Sequence, residues 1–324
     1  QTPHPPNLLS LRPPPHHTRV LFVAVGAVLA VHAWTLRRRE STLRLVDPAR
    51  TARPPRGPGQ WTLLGVVLTT IVLLLLAPLA VLVERSLDTP GGYGFDYYRA
   101  LGDLDDSGSA FLVPPIEAVW NSLQYALAAT AIAVLVGGLA AAALTRRAGR
   151  LVRGFDALLM LPLGVSAVTV GFGFLITLDE PPLDLRASWI LVPLAQALVG
   201  VPFVVRTMLP VLRAVDGRLR EAAAVLGASP LRVWREVDLP MVRRAVLIAA
   251  GFAFAVSLGE FGATVFIARP DHPTLPVAVA RLIGRPGELN YGQAMALSTI
   301  LMAVCATALL LLERTRVRNT SGEF

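Results

Sequence analysis

One short stretch of the chain combines residue types suited to binding another macromolecule. Residues 221–240 read EAAAVLGASPLRVWREVDLP, so Glu221 is followed by three Ala, and Arg and carboxylates are interspersed further on. A carboxylate can anchor a partner through charge-assisted hydrogen bonds, and Ala lets a partner approach the backbone closely. Two other roles stay open, because the stretch also suits an interfacial helix on lipid headgroups or a plain connection.

A second candidate site surrounds a carboxylate inside an apolar run. Glu260 lies in the stretch SLGEFGAT at 257–264, together with Ser257, Phe261 and Gly262. An ionisable side chain within a membrane is costly unless it faces the helix bundle or a wet pathway. These four residues are candidates for a translocation pathway or gate, and a structural hydrogen bond between helices is the equal alternative.

The composition excludes several kinds of chemistry. All 30 basic residues are Arg, so the chain lacks the Lys that a G-x-x-x-x-G-K-[ST] phosphate-binding loop or a Schiff base requires. One cysteine, Cys305, allows no intrachain disulfide, and H-E-x-x-H is absent. We expect no catalytic residue, no metal site and no cofactor in this chain. The Arg residues cluster beside apolar runs, as topology signals do, so we expect no nucleic-acid partner. Without a nucleophile or metal set, we expect that the chain is not an enzyme.

The candidate residues must be positioned by membrane-spanning helices. Of the 324 residues, 54% are hydrophobic and only 16% are charged. Several apolar runs reach the roughly 18 residues that crossing the hydrocarbon of a bilayer requires. We predict an all-α, polytopic transmembrane bundle with spans at about 20–36, 61–83, 121–144, 155–178, 188–210, 245–268 and 294–312.

The distribution of Arg predicts how these spans are oriented. With loops alternating between the two sides, 21 Arg fall on one side and eight on the other. Positive charge marks cytoplasmic loops, so the Arg-rich side is predicted to be cytoplasmic. The chain is then a multi-pass protein of a bacterial-type cell membrane, in contact with lipid, with its N-terminus outside and its C-terminus in the cytoplasm.

The spans and loops divide the chain into four segments. Residues 1–36 are an outer N-terminal segment and a first span, and residues 37–60 are a cytoplasmic linker rich in Pro, Gly and Arg. A six-span domain covers 61–313 and contains the charged loop at about 213–244. Residues 314–324 form a cytoplasmic tail.

Inside the charged loop, the sequence predicts a helix, a sharp break and a second helix. Gly227 suits the left-handed residue that ends a helix, because glycine has no Cβ to clash there. Ser229 then offers an N-cap oxygen, and Pro230 fits the first helical position, where its missing N–H is not needed. We therefore predict a short helical hairpin.

The second helix of this hairpin carries its own pattern. Leu231, Trp234 and Val237 recur at the spacing of one helical face, which predicts an apolar stripe. Pro240 disfavours the helical conformation at Leu239, so we expect the second helix to end there.

The spacing of the charged loop is specific. EAA is followed by three residues and Gly, then by nine residues, a β-branched residue, one more residue and Leu-Pro. This pattern resembles the cytoplasmic coupling loop of type I ABC importer permeases, with Val237 where Ile is usual. The matching positions are Glu221, Ala222, Ala223, Gly227, Val237, Leu239 and Pro240.

The resemblance extends over roughly residues 61–313. NSL at 121–123, LPLGVSAVTVGFGFLI at 161–176 and VPFVVRTMLPVLR at 201–213 look like the same family. SLGEFGAT followed by PTLPVAVARL resembles the iron(III)/thiamine branch, and more loosely the molybdate/sulfate branch. Permeases of the first branch are often two fused six-span halves, and the first span here looks like the last helix of a preceding half.

The resemblance implies partners and roles. The loop would dock into a dimer of separate ABC ATPase subunits, with Glu221 as polar anchor, Ala222 and Ala223 as close contacts and Gly227 as hinge. An extracytoplasmic binding protein would deliver the substrate, and a second permease half would complete the pathway. The implied substrate is iron(III) or thiamine, with molybdate, sulfate or a polyamine as alternatives.

A secondary transporter driven by an ion gradient is a less favoured reading of the same sequence. That class needs paired ionisable groups inside the membrane or symmetric broken helices, and only Glu260 qualifies in this sequence. A polytopic membrane enzyme is disfavoured for lack of a nucleophile or metal set.

Overall fold

A computed structural model describes residues 54–55, 57–103, 112–146, 149–178, 185–186, 188–215 and 217–318. The predicted span at 20–36, residues 37–53 of the predicted linker and residues 319–324 of the predicted tail lie outside the described residues. The chain divides into two units, residues 1–68 and 69–324. In the first unit the described residues form the beginning of helix α1, and the candidate sites lie wholly within the second unit.

The described residues form helices joined by short connections, with one very small β-hairpin. In chain order the elements are α1 (Pro58–Leu87), β1 (Asp88–Thr89), β2 (Gly92–Tyr93), α2 (Asp96–Ala100), α3 (Glu117–Arg146), α4 (Arg150–Gly164), α5 (Ala167–Thr177), α6 (Leu191–Ala214), α7 (Gly217–Val225), α8 (Pro230–Leu258), α9 (Thr264–Ile267), α10 (Leu275–Ile283) and α11 (Glu288–Arg318).

The helices confirm the predicted all-α, polytopic fold. Five of them, α1, α3, α6, α8 and α11, are long and apolar enough to cross a membrane. The pair α4 and α5 makes a sixth crossing if the two are counted as one broken span. Each of the six spans predicted between 61 and 312 therefore has a counterpart in the structure, although two of them differ in form.

The span predicted at 155–178 is not one straight helix. α4 and α5 meet at an angle of 101°. Val165 and Ser166, which follow Gly164, have extended backbone conformations that interrupt the helical hydrogen bonds. A hydropathy window registers only that the stretch is apolar, so it does not detect such a break.

The span predicted at 245–268 begins earlier and ends earlier than expected. Its helix, α8, starts at Pro230 and ends at Leu258. The chain then turns through Gly259 and the next few residues before the single turn of α9. A glycine is required within this turn because an added Cβ on Gly262 would lie 2.9 Å from Cβ of Ala167.

Small residues hold the centre of the bundle together. A Cβ added to Gly137 of α3 would lie 2.8 Å from Cβ of Val204 on α6, and one added to Gly200 would lie 3.3 Å from Ala133. Small residues at such positions let membrane helices approach closely and gain van der Waals contact. The main core cluster follows this rule, being rich in buried Ala from α3, α6 and α8.

Candidate functional site

The predicted hairpin exists and comprises residues 217–240, that is α7 and the first turns of α8. α7 ends in a Schellman motif: the N–H of Ala228 donates to the Ala223 carbonyl at 3.0 Å, and the N–H of Gly227 donates to the Ala224 carbonyl at 3.0 Å. Gly227 has a φ of 83°, a left-handed value that favours glycine. The expectation that Gly227 ends the first helix is confirmed.

The start of the second helix also follows the prediction. Ser229 is the N-cap of α8, and its Oγ accepts a hydrogen bond from the N–H of Arg232 at 3.4 Å. Pro230 occupies the first helical position, where a missing N–H leaves no bond unmade. The break between the two helices is therefore only a few residues long.

Pro240 does not end the second helix, so that prediction is wrong. Residues Trp234–Asp238 form a π-helical turn, in which the N–H of Leu239 donates to the carbonyl of Trp234. Leu239 keeps helical backbone angles, with φ of −61° and ψ of −45°. The wider turn changes the hydrogen-bond register just before the proline, so α8 runs on through Pro240 to Leu258.

The predicted apolar stripe of Leu231, Trp234 and Val237 faces outward at its first two positions. Leu231 and Trp234 are exposed, at 73% and 42%, whereas Val233 and Asp238 are buried. In an α-helix, residues five apart point about 140° away from each other. A π turn pairs residues five apart, so it brings Val233 and Asp238 to the same inward face.

Large apolar side chains are exposed where the hairpin turns. Val225 and Leu226 are each 87% exposed, and Leu231 is nearly as exposed. We call these three residues the tip cluster. Sequence reasoning did not bring these three together, because the family pattern marks the positions around them and helical periodicity places Leu231 only on an apolar stripe.

The predicted coupling positions lie beside the tip cluster. Glu221, Ala222 and Gly227 are exposed, and Ala223 is half-buried. At the far end of the hairpin, Leu239 is half-buried and Pro240 is exposed. The coupling positions near the turn are therefore exposed next to the tip cluster, whereas Val233 and Asp238 are buried.

Around Glu260, the carboxylate is engaged with the backbone of its own turn. Its Oε1 accepts from the N–H of Ala263 at 2.7 Å, and its Oε2 accepts from the N–H of Thr264 at 3.1 Å. The hydroxyl of Thr264 donates back to the carbonyl of Glu260 at 2.9 Å. Glu260 is buried, and in this arrangement it stabilises the turn that leads into α9.

The other pathway candidates surround this turn. Ser257 is fully buried, and its Oγ has no hydrogen-bond partner among the described residues. Phe261 is partly exposed at 41%. Gly262 packs against α5, since an added Cβ would lie 2.9 Å from Cβ of Ala167. The four candidates are therefore neighbours at the far end of α8, next to the broken span.

Two stretches identified separately in the sequence meet in the structure. The Nδ2 of Asn121 donates to the carbonyl of Pro273 at 3.4 Å. The Oγ of Ser122 accepts from the N–H of Leu275 at 2.6 Å. The NSL stretch at the start of α3 thus holds the PTLP stretch at the start of α10.

A further charged pair within the spans escaped the sequence reading. Arg206 of α6 lies with its Nη2 3.9 Å from Oδ2 of Asp156 on α4. The Nε of Arg206 also lies 3.1 Å from Sδ of Met160. The sequence could have predicted this pair, because one predicted span has an Asp near its start and another has an Arg near its end. In the part of the chain that the structure describes, no group of three His, Cys, Asp or Glu could hold a metal ion.

No protein-family profile matches the chain. Several individual proteins are nevertheless similar to it. The chain is 29% identical over 267 residues to the putative 2-aminoethylphosphonate transport system permease protein PhnV of Salmonella paratyphi A, covering 80% of this chain and 95% of that protein. It is 34% identical over 203 residues to the molybdenum transport system permease protein ModB of Mycobacterium tuberculosis, covering 58% of this chain and 75% of that protein.

A solved structure shares the fold. The crystal structure of a bacterial alginate ABC transporter, in complex with its alginate pentasaccharide-bound periplasmic protein, contains a chain that superposes with a TM-score of 0.61. The two chains are 17% identical, and the match covers 81% of this chain and 96% of that one.

Proposed function

The chain belongs to the inner-membrane permeases of ABC importers, and from that premise we propose that the 221–240 loop couples it to a separate ATPase. A permease of this family is a multi-pass membrane protein and not itself an enzyme. The transport subunit forms the passage, and ATP hydrolysis belongs to its partner. The proposed contact residues are Glu221, Ala222, Ala223, Gly227, Leu239 and Pro240.

The observation that carries this proposal is the surface of the hairpin. Three large aliphatic side chains of the tip cluster are exposed beside a carboxylate and a run of Ala. Exposed apolar groups clustered within a polar surround mark protein–protein or membrane contact sites, and we propose a protein–protein contact here. A partner that covers the tip cluster would bury these side chains, while Glu221 would supply a directional bond at the edge of the contact.

The predicted orientation supports a cytoplasmic partner. Seven Arg lie between 213 and 244, on the side predicted to be cytoplasmic from the Arg distribution. We propose that the N-terminus is outside and the C-terminus inside, so that the hairpin reaches an ATPase dimer in the cytoplasm. An extracytoplasmic binding protein would act at the opposite side, as the periplasmic protein does in the alginate transporter complex.

For the pathway, we propose that Ser257, Glu260, Phe261 and Gly262 line or gate the passage. The break between α4 and α5 lies against the turn after α8, so two interruptions of regular helix meet here. Irregular backbone at membrane depth is tolerated where it is buried in protein or lines a water-filled cavity. Glu260 acts by shaping the turn through its hydrogen bonds to the backbone. The Ser257 hydroxyl has no partner among the described residues, so it can form a hydrogen bond within the passage.

For the substrate, two candidates have support from different observations. The relatives named for 2-aminoethylphosphonate and for molybdenum favour a small phosphonate or oxyanion. The stretch from 257 to 282 resembles the iron(III)/thiamine branch instead. Identifying the ligand that co-purifies with the cognate binding protein, by mass spectrometry and elemental analysis, distinguishes a phosphonate or oxyanion from thiamine or iron.

We also propose that the pathway needs a second permease half. This half is either a separate subunit or one fused to the same chain. Cross-linking in native membranes tests it: a single permease band that binds two ATPase copies supports a fused half, and a cross-linked pair of permease chains supports a separate one.

The coupling proposal is tested by capturing the cognate ATPase with the full-length permease. Glu221→Ala removes the polar anchor, and Gly227→Pro cannot adopt the left-handed turn, because proline fixes φ near −65°. Both variants should lose ATPase binding or ATPase stimulation. Glu117→Ala is the matched control for the carboxylate. Glu117 is also exposed, but it is the first residue of α3, and the hairpin lies near the last residues of that helix.

A second comparison isolates the tip cluster. Leu226 and Leu151 are exposed to a similar degree, at 87% and 90%, and both are on the predicted cytoplasmic side. Leu226→Ser should weaken ATPase binding about tenfold, the effect of losing roughly 1.4 kcal/mol of contact. Leu151→Ser should leave ATPase binding unchanged, and equal effects of the two variants would refute a specific role for the tip cluster.

A further inference from the structure

An ion pair joins the two helices of the hairpin on its inner side. The Nε of Arg220, on α7, lies 2.7 Å from Oδ1 of Asp238, at the end of the π turn of α8. The Asp238 side chain is only 12% exposed and that of Arg220 is 35% exposed. A second pair in the same hairpin, Arg232–Glu236, is about as short at 2.9 Å but has both side chains more than half exposed.

The position of Asp238 depends on the π turn. The turn places Asp238 on the same inward face as Val233, toward α7, as described above. An uninterrupted α-helix would point the two residues in different directions. The π turn therefore delivers a carboxylate to Arg220, and π turns of this kind are frequent at functional sites.

The ion pair lies beside open space. A cavity of about 330 Å³ lies between the hairpin and the neighbouring spans, lined by Ala142 and Thr145 of α3 and by Leu212 of α6. Arg220 and Asp238 both line the same cavity. The short turn at Gly227 and this ion pair both connect α7 to α8, and the ion pair does so at the edge of the cavity.

We propose that Arg220 and Asp238 form a positioning latch that fixes α7 to the base of α8. When an ATPase displaces the EAA face of α7, the latch makes α8 move with it, and the displacement reaches Ser257 and Glu260 at the other end of that helix. Without the latch, α7 would swivel about Gly227 while α8 stayed in place. The inference rests on the proposed coupling function, since it describes how movement of that hairpin is transmitted.

The first test separates the latch from docking. Asp238→Asn in the complete complex, reconstituted with its ATPase and binding protein, should keep ATPase binding but reduce binding-protein-stimulated ATP hydrolysis about tenfold, because Arg220 loses its partner in a mostly buried site. Asp96→Asn, which removes the exposed Arg99–Asp96 pair on α2, should leave both readouts unchanged. Loss of ATPase binding in Asp238→Asn would overturn the latch as stated, whereas normal binding and normal stimulation would show that the pair transmits nothing.

Reversing the pair tests whether the two charges act together. The double variant Arg220→Asp with Asp238→Arg should recover most of the stimulation that either single variant loses, because the ion pair is restored with opposite polarity. A loss equal to the sum of the two single losses would mean that the residues act separately, and the latch would be refuted. This outcome is distinct from failure of the coupling proposal, which appears as normal ATPase binding and stimulation in Glu221→Ala and Gly227→Pro.

The second test needs no ATPase. Spin labels at Leu226→Cys and Leu247→Cys, both exposed positions, report the distance between the turn of the hairpin and the middle of α8. The only native cysteine is first removed as Cys305→Ser. The label-to-label distance distribution should be narrow with the latch intact and should broaden in Asp238→Asn. An unchanged distribution would overturn the proposal even if transport were impaired.

Discussion

The contact between the broken span and the turn after α8 makes a sharp prediction at Gly171. This glycine lies in α5, and a Cβ added to it would lie 2.5 Å from Cα of Ala263 and 2.8 Å from its carbonyl carbon. These are backbone atoms, which cannot move aside as the end of a flexible side chain can. Gly171→Ala should therefore push α5 away from the turn that Glu260 stabilises.

A matched control lies two residues further along the same helix. A Cβ added to Gly173 meets nothing within 4 Å. Both substitutions gain about the same helix propensity, roughly 1 kcal/mol for Ala over Gly, so this contribution cancels between them. What remains is the overpacking cost at Gly171, about 1–3 kcal/mol. Gly171→Ala should be less stable than Gly173→Ala by that amount.

The assay is thermal unfolding of the two purified variants in detergent, followed by transport in proteoliposomes. Gly173→Ala should unfold at or slightly above the wild-type temperature, and Gly171→Ala clearly below it. If the two variants unfolded at the same temperature, α5 would not approach the 259–263 turn as the structure shows. The proposed pathway at Ser257 and Glu260 would then lose its structural basis.

Three further predictions concern the ends of the bundle. Ser122→Ala should destabilise the protein by about 1–3 kcal/mol, since the buried N–H of Leu275 loses its acceptor, and chemical denaturation measures it. Gly292→Ala should destabilise by about 1–3 kcal/mol, because the added methyl group would overlap the buried ring of Tyr97; a Tyr97→Ala background, which removes the ring, should abolish the difference. The hydrogen bond from Arg269 lowers the pKa of Asp271. The contribution of this carboxylate to stability should therefore be complete above about pH 4, and it should be lost as the pH falls through the lowered pKa. Unfolding temperatures measured from pH 7 to pH 3 should show a smaller acid loss in Asp271→Asn than in the wild type.

Hydropathy and turn chemistry predicted much of this fold, because both depend on local residue properties. Apolar length located six spans, and the preferences of Gly227, Ser229 and Pro230 located the break in the hairpin to the residue. The same local reasoning failed at Pro240. The cause is the π turn, which changes the hydrogen-bond register just before the proline, and no residue type at 234–238 predicts such a turn.

The candidate sites were likewise only partly predictable from the sequence. The coupling positions were available from spacing alone, whereas the tip cluster required the burial of Val233 to be known, because that fixes which side of the hairpin faces outward. The partners of Glu260 were not predictable either. Its carboxylate bonds to the N–H groups of Ala263 and Thr264, and such bonds exist only once the chain has turned back on itself.

The continuity of α8 through Pro240 has a mechanical consequence. The 29 residues from Pro230 to Leu258 form one helix, which at 1.5 Å per residue is a rod of roughly 43 Å. If such a lever rocks by about 5° about one end, its other end sweeps about 4 Å, close to the rise of three residues. A tilt small enough to leave the hairpin seated in a partner is thus converted, at the far end, into a step as large as a side chain.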